Sequence, residues 1–288
     1  KPLARVAFLG SKGSYSHLAS REYFSRKNME LIELNCNHFK EVASTVESGH
    51  ADYGVLPIEN TSSGSINEVY DLLQHTTLYI VGELSQPIEH CLVAKSDIRL
   101  ENIKTLYSHP QPHQQCSEFL SRLKGVSLES CASTADAMKK VKELDSDDVA
   151  AIGNASSGKL YGLQAIQGNI ANQTENHTRF IVVARKPVEV STQIPAKTTL
   201  IMSTSQEAGS LVETLLILQR LGINMTKLES RPIMGNPWEE MFYVDLEAHL
   251  NADNMQQAIT ELTAITRLLK VLGCYPSENI KATQVKLL

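Results

Sequence analysis

The chain of 288 residues has no surplus of basic residues: Lys and Arg number 27 against 32 Asp and Glu, a formal net charge of −5. That balance argues against a nucleic-acid backbone as its main partner. The basic pair Lys139-Lys140 falls on an expected helix and reads as a solvated face. No apolar run approaches the roughly 20 residues needed to cross a bilayer, so no membrane partner is expected. No secretory leader is read either, because a strand pattern begins at Arg5. The first residue is Lys1 rather than Met, and the chain is expected to be a piece of a longer polypeptide. Its five cysteines, Cys36, Cys91, Cys116, Cys131 and Cys274, are odd in number, irregularly spaced and without a CxxC. Reduced thiols in a cytoplasmic protein are the expectation. Also missing are a Walker-type phosphate loop, GxGxxG, HExxH, a nucleophile elbow and a Cys–His pairing. Nucleotide, metal and covalent chemistries thus lose their usual signatures, and neither a cofactor nor a metal is expected.

What is present is 42% hydrophobic and 20% charged, a soluble globular balance, over a length that suits two or three compact units. Short apolar runs at 6–9, 53–58, 78–81, 91–94, 105–107, 149–152 and 180–184 alternate with helical periodicity at 16–27, 39–48, 66–75, 114–123 and 135–144. Alternating βα units predict a mainly parallel sheet with helices on both faces. Ligands of such sheets sit at the carboxyl ends of strands. Several strands here run into polar loops there: Gly10-Ser11, Glu59-Asn60-Thr61, Ser108-His109 and Gly153-Asn154. Pro187 and Pro195, with Ser191, Thr192 and Gln193 between them, mark 186–196 as a linker. Beyond it the pattern predicts a strand at 198–204, a helix over 209–221, strands at 225–229 and 241–248, a long helix over 254–272 and a short strand near Ile280. The order βαββαβ is ferredoxin-like. The parts 1–187 and 198–288 are expected to be separable.

Three constellations stand out. Gly10-Ser11-Lys12-Gly13-Ser14-Tyr15-Ser16-His17 joins a strand to a helix, and glycines with exposed helix-start N–H groups attract an anion. A plain strand–helix turn is the alternative. Ser108-His109-Pro110-Gln111-Pro112-His113 holds two histidines at i and i+4, the spacing of a helical zinc pair, but its prolines are read as forbidding a helix. Ser108 and Gln115 read better as neutral hydrogen-bonding groups around a polar ligand. In Asn176-His177-Thr178-Arg179-Phe180, Arg179 could clamp a carboxylate or be a surface arginine. His177 is a general acid by type, or merely structural. A site of hydroxyls, amides and a few charges suits a primed substrate that needs positioning and proton delivery.

The first of these segments resembles the opening motif of prephenate dehydratases. Asp52 through Gly64, Ser108-His109-Pro110-Gln111 with Gln114-Gln115-Cys116, and Thr178-Arg179-Phe180 match the later blocks of that family in order. The second part resembles an ACT regulatory domain through Gly209-Ser210-Leu211-Val212 and Glu229-Ser230-Arg231-Pro232. Gly235-Asn236-Pro237-Trp238 and Cys274-Tyr275-Pro276-Ser277-Glu278-Asn279 resemble the bifunctional chorismate mutase–prephenate dehydratases, whose mutase part would precede Lys1. Ser11 stands where the family commonly has Pro, and Ser210 where Ala is common.

The resemblance implies an α/β catalytic domain of two lobes, like a periplasmic binding protein with a cleft between them. Lobe one would take 1–81 and 179–187, lobe two 82–178, the linker 188–197 and the ACT domain 198–288. It implies conversion of prephenate to phenylpyruvate, with Thr178 closest to the chemistry and Glu59, Asn60, Ser108 and Gln115 at the other catalytic positions. Ser14, Tyr15, Ser16, Thr61, Ser62, Arg179 and Phe180 would bind substrate. Helix N-termini at 14–16 and 60–64 would help hold its carboxylates. L-Phenylalanine would bind between ACT domains, at Gly209, Ser210, Leu211, Val212, Glu229, Ser230, Arg231 and Pro232, and inhibit. A homo-oligomer, dimer or tetramer, follows from that arrangement. Two rivals remain: a non-catalytic sensor of the same fold, and an enzyme for arogenate.

Overall fold

The structure, a computed structural model, describes residues 1–95 and 97–278. Its elements begin with β1 (Leu3–Leu9), α1 (Tyr15–Arg26), β2 (Glu30–Cys36), α2 (Phe39–Glu47), β3 (Tyr53–Asn60), β4 (Gly64–Ser65), α3 (Asn67–His75), β5 (Tyr79–Pro87) and β6 (Cys91–Ala94). There follow β7 (Thr105–Ser108), α4 (Pro110–Gln115), α5 (Ser117–Ser121), β8 (Ser127–Ser130), α6 (Thr134–Leu144), β9 (Val149–Gly153), α7 (Ala155–Leu160), β10 (Gln164–Gln167) and β11 (His177–Ala184). The last are β12 (Ala196–Thr204), α8 (Ser210–Arg220), β13 (Met225–Ile233), β14 (Asn236–Leu246), α9 (Asp253–Ile265) and β15 (Thr266–Pro276). The fold is α/β, and the chain forms two compact units that each draw on several stretches of sequence.

The first unit comprises residues 1–38, 59–65 and 86–179. In it β1 and β2 pair in parallel, from Leu3 opposite Glu30 to Leu9 opposite Cys36. A five-stranded sheet has the order β10-β6-β9-β7-β8. It is mixed rather than mainly parallel: β7 runs parallel to β8 and β9, while β6 is antiparallel to β9 and β10. Every residue of β6 and β9 is buried, which explains their unbroken apolar runs. On α6, Ala135, Met138 and Val141 recur at the spacing of one helix face and are buried. Ser133 caps that helix by accepting from the Asp136 N–H at 3.0 Å.

The second unit comprises residues 39–58, 66–85 and 180–288, of which the last ten residues lie outside the description. Strands β3, β11 and β5 lie side by side in that order. A second sheet is antiparallel, in the order β13-β14-β12-β15. Its core joins Leu200, Met202, Val244 and Leu246 to Leu218 of α8 and to Met255, Ala258 and Leu262 of α9.

Some sequence expectations change. Residues 110–115 are helical, because Pro110 opens α4 and Pro112 still falls in its first turn, where no intrahelical N–H bond is lost. Gln115 ends α4 rather than starting a helix. Residues 60–64 are a hairpin turn between β3 and β4, not a helix N-terminus. The helix expected over 254–272 stops at Ile265, and β15 pairs with β12 from Thr266 onward. The strand expected near Ile280 lies outside the described residues.

Gly273 sits on β15 instead of ending a helix. A Cβ there would lie 2.1 Å from the backbone oxygen of Ile80 on β5. Backbone cannot yield as a side-chain end can. Gly273→Ala is expected to destabilise the protein by about 3 kcal/mol, read as a fall in the denaturant midpoint. An unchanged midpoint would mean that β15 and β5 do not approach this closely.

Candidate active site

All but one of the residues proposed for catalysis and substrate lie in the first unit, and a hydrogen-bonded chain joins several of them. It starts at Asn60, the last residue of β3. The Asn60 Oδ1 accepts the backbone N–H groups of Ser62 at 2.8 Å and Ser63 at 2.9 Å, which also holds the 61–63 turn. Since N–H groups only donate, the amide orientation of Asn60 follows. Its NH2 then donates to Thr178 Oγ1 at 2.8 Å and to Asn176 Oδ1 at 2.9 Å. Asn176 in turn points its NH2 at Gln115 Oε1, at 3.5 Å the weakest link of the chain. The same oxygen lies 2.6 Å from Nε2 of His90. Two consequences follow for Thr178. Its oxygen already accepts from Asn60, so its proton is directed elsewhere. At 8% exposure that hydroxyl is also shielded from bulk water, where its hydrogen bonds carry more weight.

The Asn60 loop is further tied to β11. The Thr61 N–H donates to the His177 carbonyl at 2.9 Å, and the His177 N–H donates to Thr61 Oγ1 at 2.9 Å. The His177 ring itself faces Glu175 at 3.0 Å, so its reading as a general acid finds no support in this contact. Arg179 Nη1 donates to Glu59 Oε1 at 3.3 Å, with the arginine side chain 10% exposed. The carboxylate that Arg179 meets is therefore one of the chain's own.

The loop after β1 is built to hold a fixed shape. Gly13 has φ of +89°, and a Cβ on it would fall 2.9 Å from the Tyr161 ring. The Gly13 N–H donates to His17 Nδ1 at 2.9 Å, so the fully buried His17 donates its Nε2–H to Glu33 at 3.0 Å. Burial lowers the His17 pKa, against the raising effect of Glu33. Ser14 caps α1, accepting from the His17 N–H at 3.2 Å. Tyr15 donates to the Glu89 carbonyl at 3.3 Å, beside His90. Burial, then the nearby thiols of Cys91 and Cys116, push its hydroxyl pKa upward. Tyr15 thus lies by the His90–Gln115 end of the chain of amides, and Ser16 is buried in the first turn of α1.

Not every expected residue joins this group. Ser108 is buried at the end of β7 and turns its hydroxyl to the His109 carbonyl at 2.8 Å. Ser62 contributes its backbone N–H to the turn. Phe180, which falls in the second unit, is 1% exposed and is a packing residue of β11, with no face left for a substrate. His109 caps α4, accepting from the Gln111 N–H at 3.2 Å, and burial lowers its pKa. Among the described residues no cluster of three or more His, Cys, Asp or Glu side chains could hold a metal. No described helix is long and apolar enough to cross a membrane.

The sequence pattern gives Asn176 and His90 no role. Asn176 lies two residues before Thr178, within a segment already singled out. His90 carries no local signal, because its partner Gln115 is 25 residues away.

The proposed effector residues are all in the second unit. Gly209, with φ of +83°, caps α8. Ser210 donates to the Glu207 carbonyl at 2.6 Å and meets Ser205 Oγ at 2.8 Å. Leu211 and Val212 follow in the first turn, Val212 exposed. On β13, Glu229 faces Lys227 at 3.4 Å and Ser230 donates to Glu240 at 2.6 Å. Arg231 forms a two-pronged pair with Asp71 of α3 at 2.9 and 2.8 Å, and the Pro232 carbonyl accepts from Gln74 at 3.2 Å.

Comparison with known proteins bears on the family of the chain. The family model described as prephenate dehydratase matches residues 6–188. A bifunctional chorismate mutase/prephenate dehydratase of Enterobacter agglomerans is 59% identical over 277 residues, 96% of this chain and 72% of that protein. Among solved structures, a prephenate dehydratase of Arthrobacter aurescens in complex with L-phenylalanine has a TM-score of 0.83 at 25% identity, covering 95% of this chain and 90% of that one. A protein described as a quorum quenching acylase has a TM-score of 0.84 at 30% identity, over 95% and 98% of the two chains.

Proposed function

The chain belongs to the prephenate dehydratase family, a family of lyases, and from that premise we propose that the Asn60–Thr178 pair drives the conversion of prephenate to phenylpyruvate. The observation that carries this reading is the 2.8 Å bond in which Asn60 donates to Thr178 Oγ1. A threonine hydroxyl is a poor acid, but with its oxygen occupied from behind its proton is committed forward. In the reaction the ring C–O bond and the bond to the ring carboxylate both break. The electron pair of the carboxylate bond enters the ring as carbon dioxide leaves, and the departing oxygen takes up a proton to leave as water. Aromatisation drives the step. A preorganised donor at the leaving oxygen acts where charge develops, which is where it lowers the barrier most.

Gln115 would present its NH2 to the same ligand, since its carbonyl is taken by His90 and Asn176. The backbone N–H groups of Tyr15 and Ser16 open α1 and suit a carboxylate. Arg179 would act through Glu59, holding that carboxylate in place at 3.3 Å. Ser108 would shape the loop before α4 through its bond to the His109 carbonyl.

Residues 198–288 would form a ferredoxin-like ACT domain. The element order βαββαβ and the strand order β13-β14-β12-β15 support this. L-Phenylalanine would bind at 209–212 and 229–232, across two copies of the chain, and inhibit.

The test mixes the pure chain with prephenate and follows phenylpyruvate, with and without L-phenylalanine, beside a parallel assay with arogenate. Phenylpyruvate is expected to form, to fall with phenylalanine, and to survive exhaustive chelation and dialysis. No phenylpyruvate at any prephenate concentration would favour the sensor. Faster turnover of arogenate would change the substrate but not the site.

A further inference from the structure

His90 is 3% exposed immediately before β6, and nothing in the reaction calls for it directly. Its Nε2 lies 2.6 Å from Gln115 Oε1, while its Nδ1 is buried without a hydrogen-bond partner among the described residues. Buried polar atoms are rarely left so.

The direction of the hydrogen bonds supplies the reason. Asn60 is oriented by two backbone N–H groups, and each amide along the chain inherits its direction from the one before. If Gln115 were turned over, its NH2 would face the NH2 of Asn176, two donors against each other. The carbonyl of Gln115 must therefore face His90, and His90 must carry its proton on Nε2. A ring protonated on Nδ1 alone would set a lone pair against that carbonyl. A doubly protonated ring would bury an Nδ1–H with no acceptor. Burial also holds the His90 pKa below its ordinary value, against the raising effect of Gln115, which keeps the ring neutral.

We infer that His90 is a positioning residue that, as the neutral Nε2–H tautomer, clamps the Gln115 carbonyl and so aims the Gln115 NH2 at the ligand. It closes the far end of the chain that starts at Asn60, the donor to Thr178. With both ends anchored, by backbone N–H groups at Asn60 and by an imidazole at His90, neither Gln115 nor Asn176 has a second orientation of similar energy. Loosening a positioned donor by a fraction of an ångström is costly to rate even when substrate still binds. This inference rests on the proposed dehydratase reading for its kinetic part but not for its spectroscopic part.

Two measurements test it on the full chain. Nitrogen-15 NMR of histidine-labelled protein is expected to show His90 neutral and protonated on Nε2 across neutral pH. A ring protonated on Nδ1 would overturn the inference, whatever the chain catalyses. The kinetic arm compares His90→Leu with His90→Gln, whose NH2 replaces the Nε2–H donor. The leucine variant is expected to lose about 10²-fold in kcat with a much smaller change in KM, and the glutamine variant to recover most of it. A purely space-filling histidine predicts the opposite ranking, since leucine fills the apolar site and glutamine buries a new polar group. Unchanged kcat in a folded His90→Leu, or equal losses in both variants, would overturn the assignment. Absence of dehydratase activity in the unaltered chain would instead strike the functional reading and leave the tautomer result standing.

Discussion

Thr178→Ala is expected to lower kcat by about 10²–10³-fold, or about 3–4 kcal/mol of transition-state stabilisation, with a much smaller rise in KM. The hydroxyl is asked to act only as the leaving oxygen gains charge, so its removal should be felt in turnover more than in binding. Alanine also leaves one Asn60 proton without its acceptor in a site 8% exposed at Thr178, which costs about 1–3 kcal/mol of stability. A melting curve must therefore accompany the kinetics. Thr178→Ser keeps the oxygen but loses the methyl that restricts its rotamer, and should fall between the two. Asn60→Ala should resemble Thr178→Ala, and the double variant should be little worse than either, because both break the one bond that directs the threonine proton. Near-normal turnover in Thr178→Ala would take Thr178 out of the mechanism.

Why much of this was legible in sequence, and some not, has a physical basis. The strand–helix alternation was readable because burial writes periodicity locally: β9 is apolar throughout and α6 repeats Ala135, Met138 and Val141 on one face. Asn60 stood out in a polar loop at a strand end, where ligands gather, and Gln115 as a neutral hydrogen-bonding group, whereas Thr178, a poor acid by type, stood out only through the family resemblance. The helix at Pro110 was misjudged because proline forbids a helix interior but suits a first turn. The stretch 266–272 has helical periodicity, yet its pairing with β12 prevails, as tertiary contacts often override propensity. The bonds of Asn60 to Thr178 and of His90 to Gln115 span 118 and 25 residues. Partners that distant leave no trace in local pattern, so the chain of amides is visible only in three dimensions.

Regulation yields the other large effect, and Asp71→Asn is its cleanest probe. Truncation near Pro187 is the probe that the expected separability at the linker would suggest. It would, however, strip Lys197 from Glu83, a carboxylate whose side chain is 3% exposed and paired at 2.9 Å. Breaking such a buried pair costs about 3–5 kcal/mol, and lost activity would then say nothing about inhibition. Asp71 avoids that difficulty. It lies on α3, outside both the proposed catalytic set and the proposed effector set, and takes both prongs of Arg231. Arg231 follows Ser230 directly on β13, and α3 follows the Asn60 turn in the chain with only Ile66 intervening after β4. Tyr70 and Tyr243, edge-on at 4.8 Å, pack the same helix against β14. The pair is about one-quarter exposed on each side, so its loss should cost only about 1 kcal/mol of stability. If phenylalanine acts through β13 on α3, coupling of about 1–3 kcal/mol runs through this contact. Asp71→Asn, which keeps the shape and removes the charge, should then weaken inhibition by about 5–150-fold. Calorimetry should still find phenylalanine bound, with the unliganded kcat close to normal. Because linkage is reciprocal, prephenate should also lose its effect on phenylalanine affinity in the same variant. Full inhibition retained in a stable Asp71→Asn protein would show that the signal travels by another route, and would leave the Arg231 pair a purely structural tie.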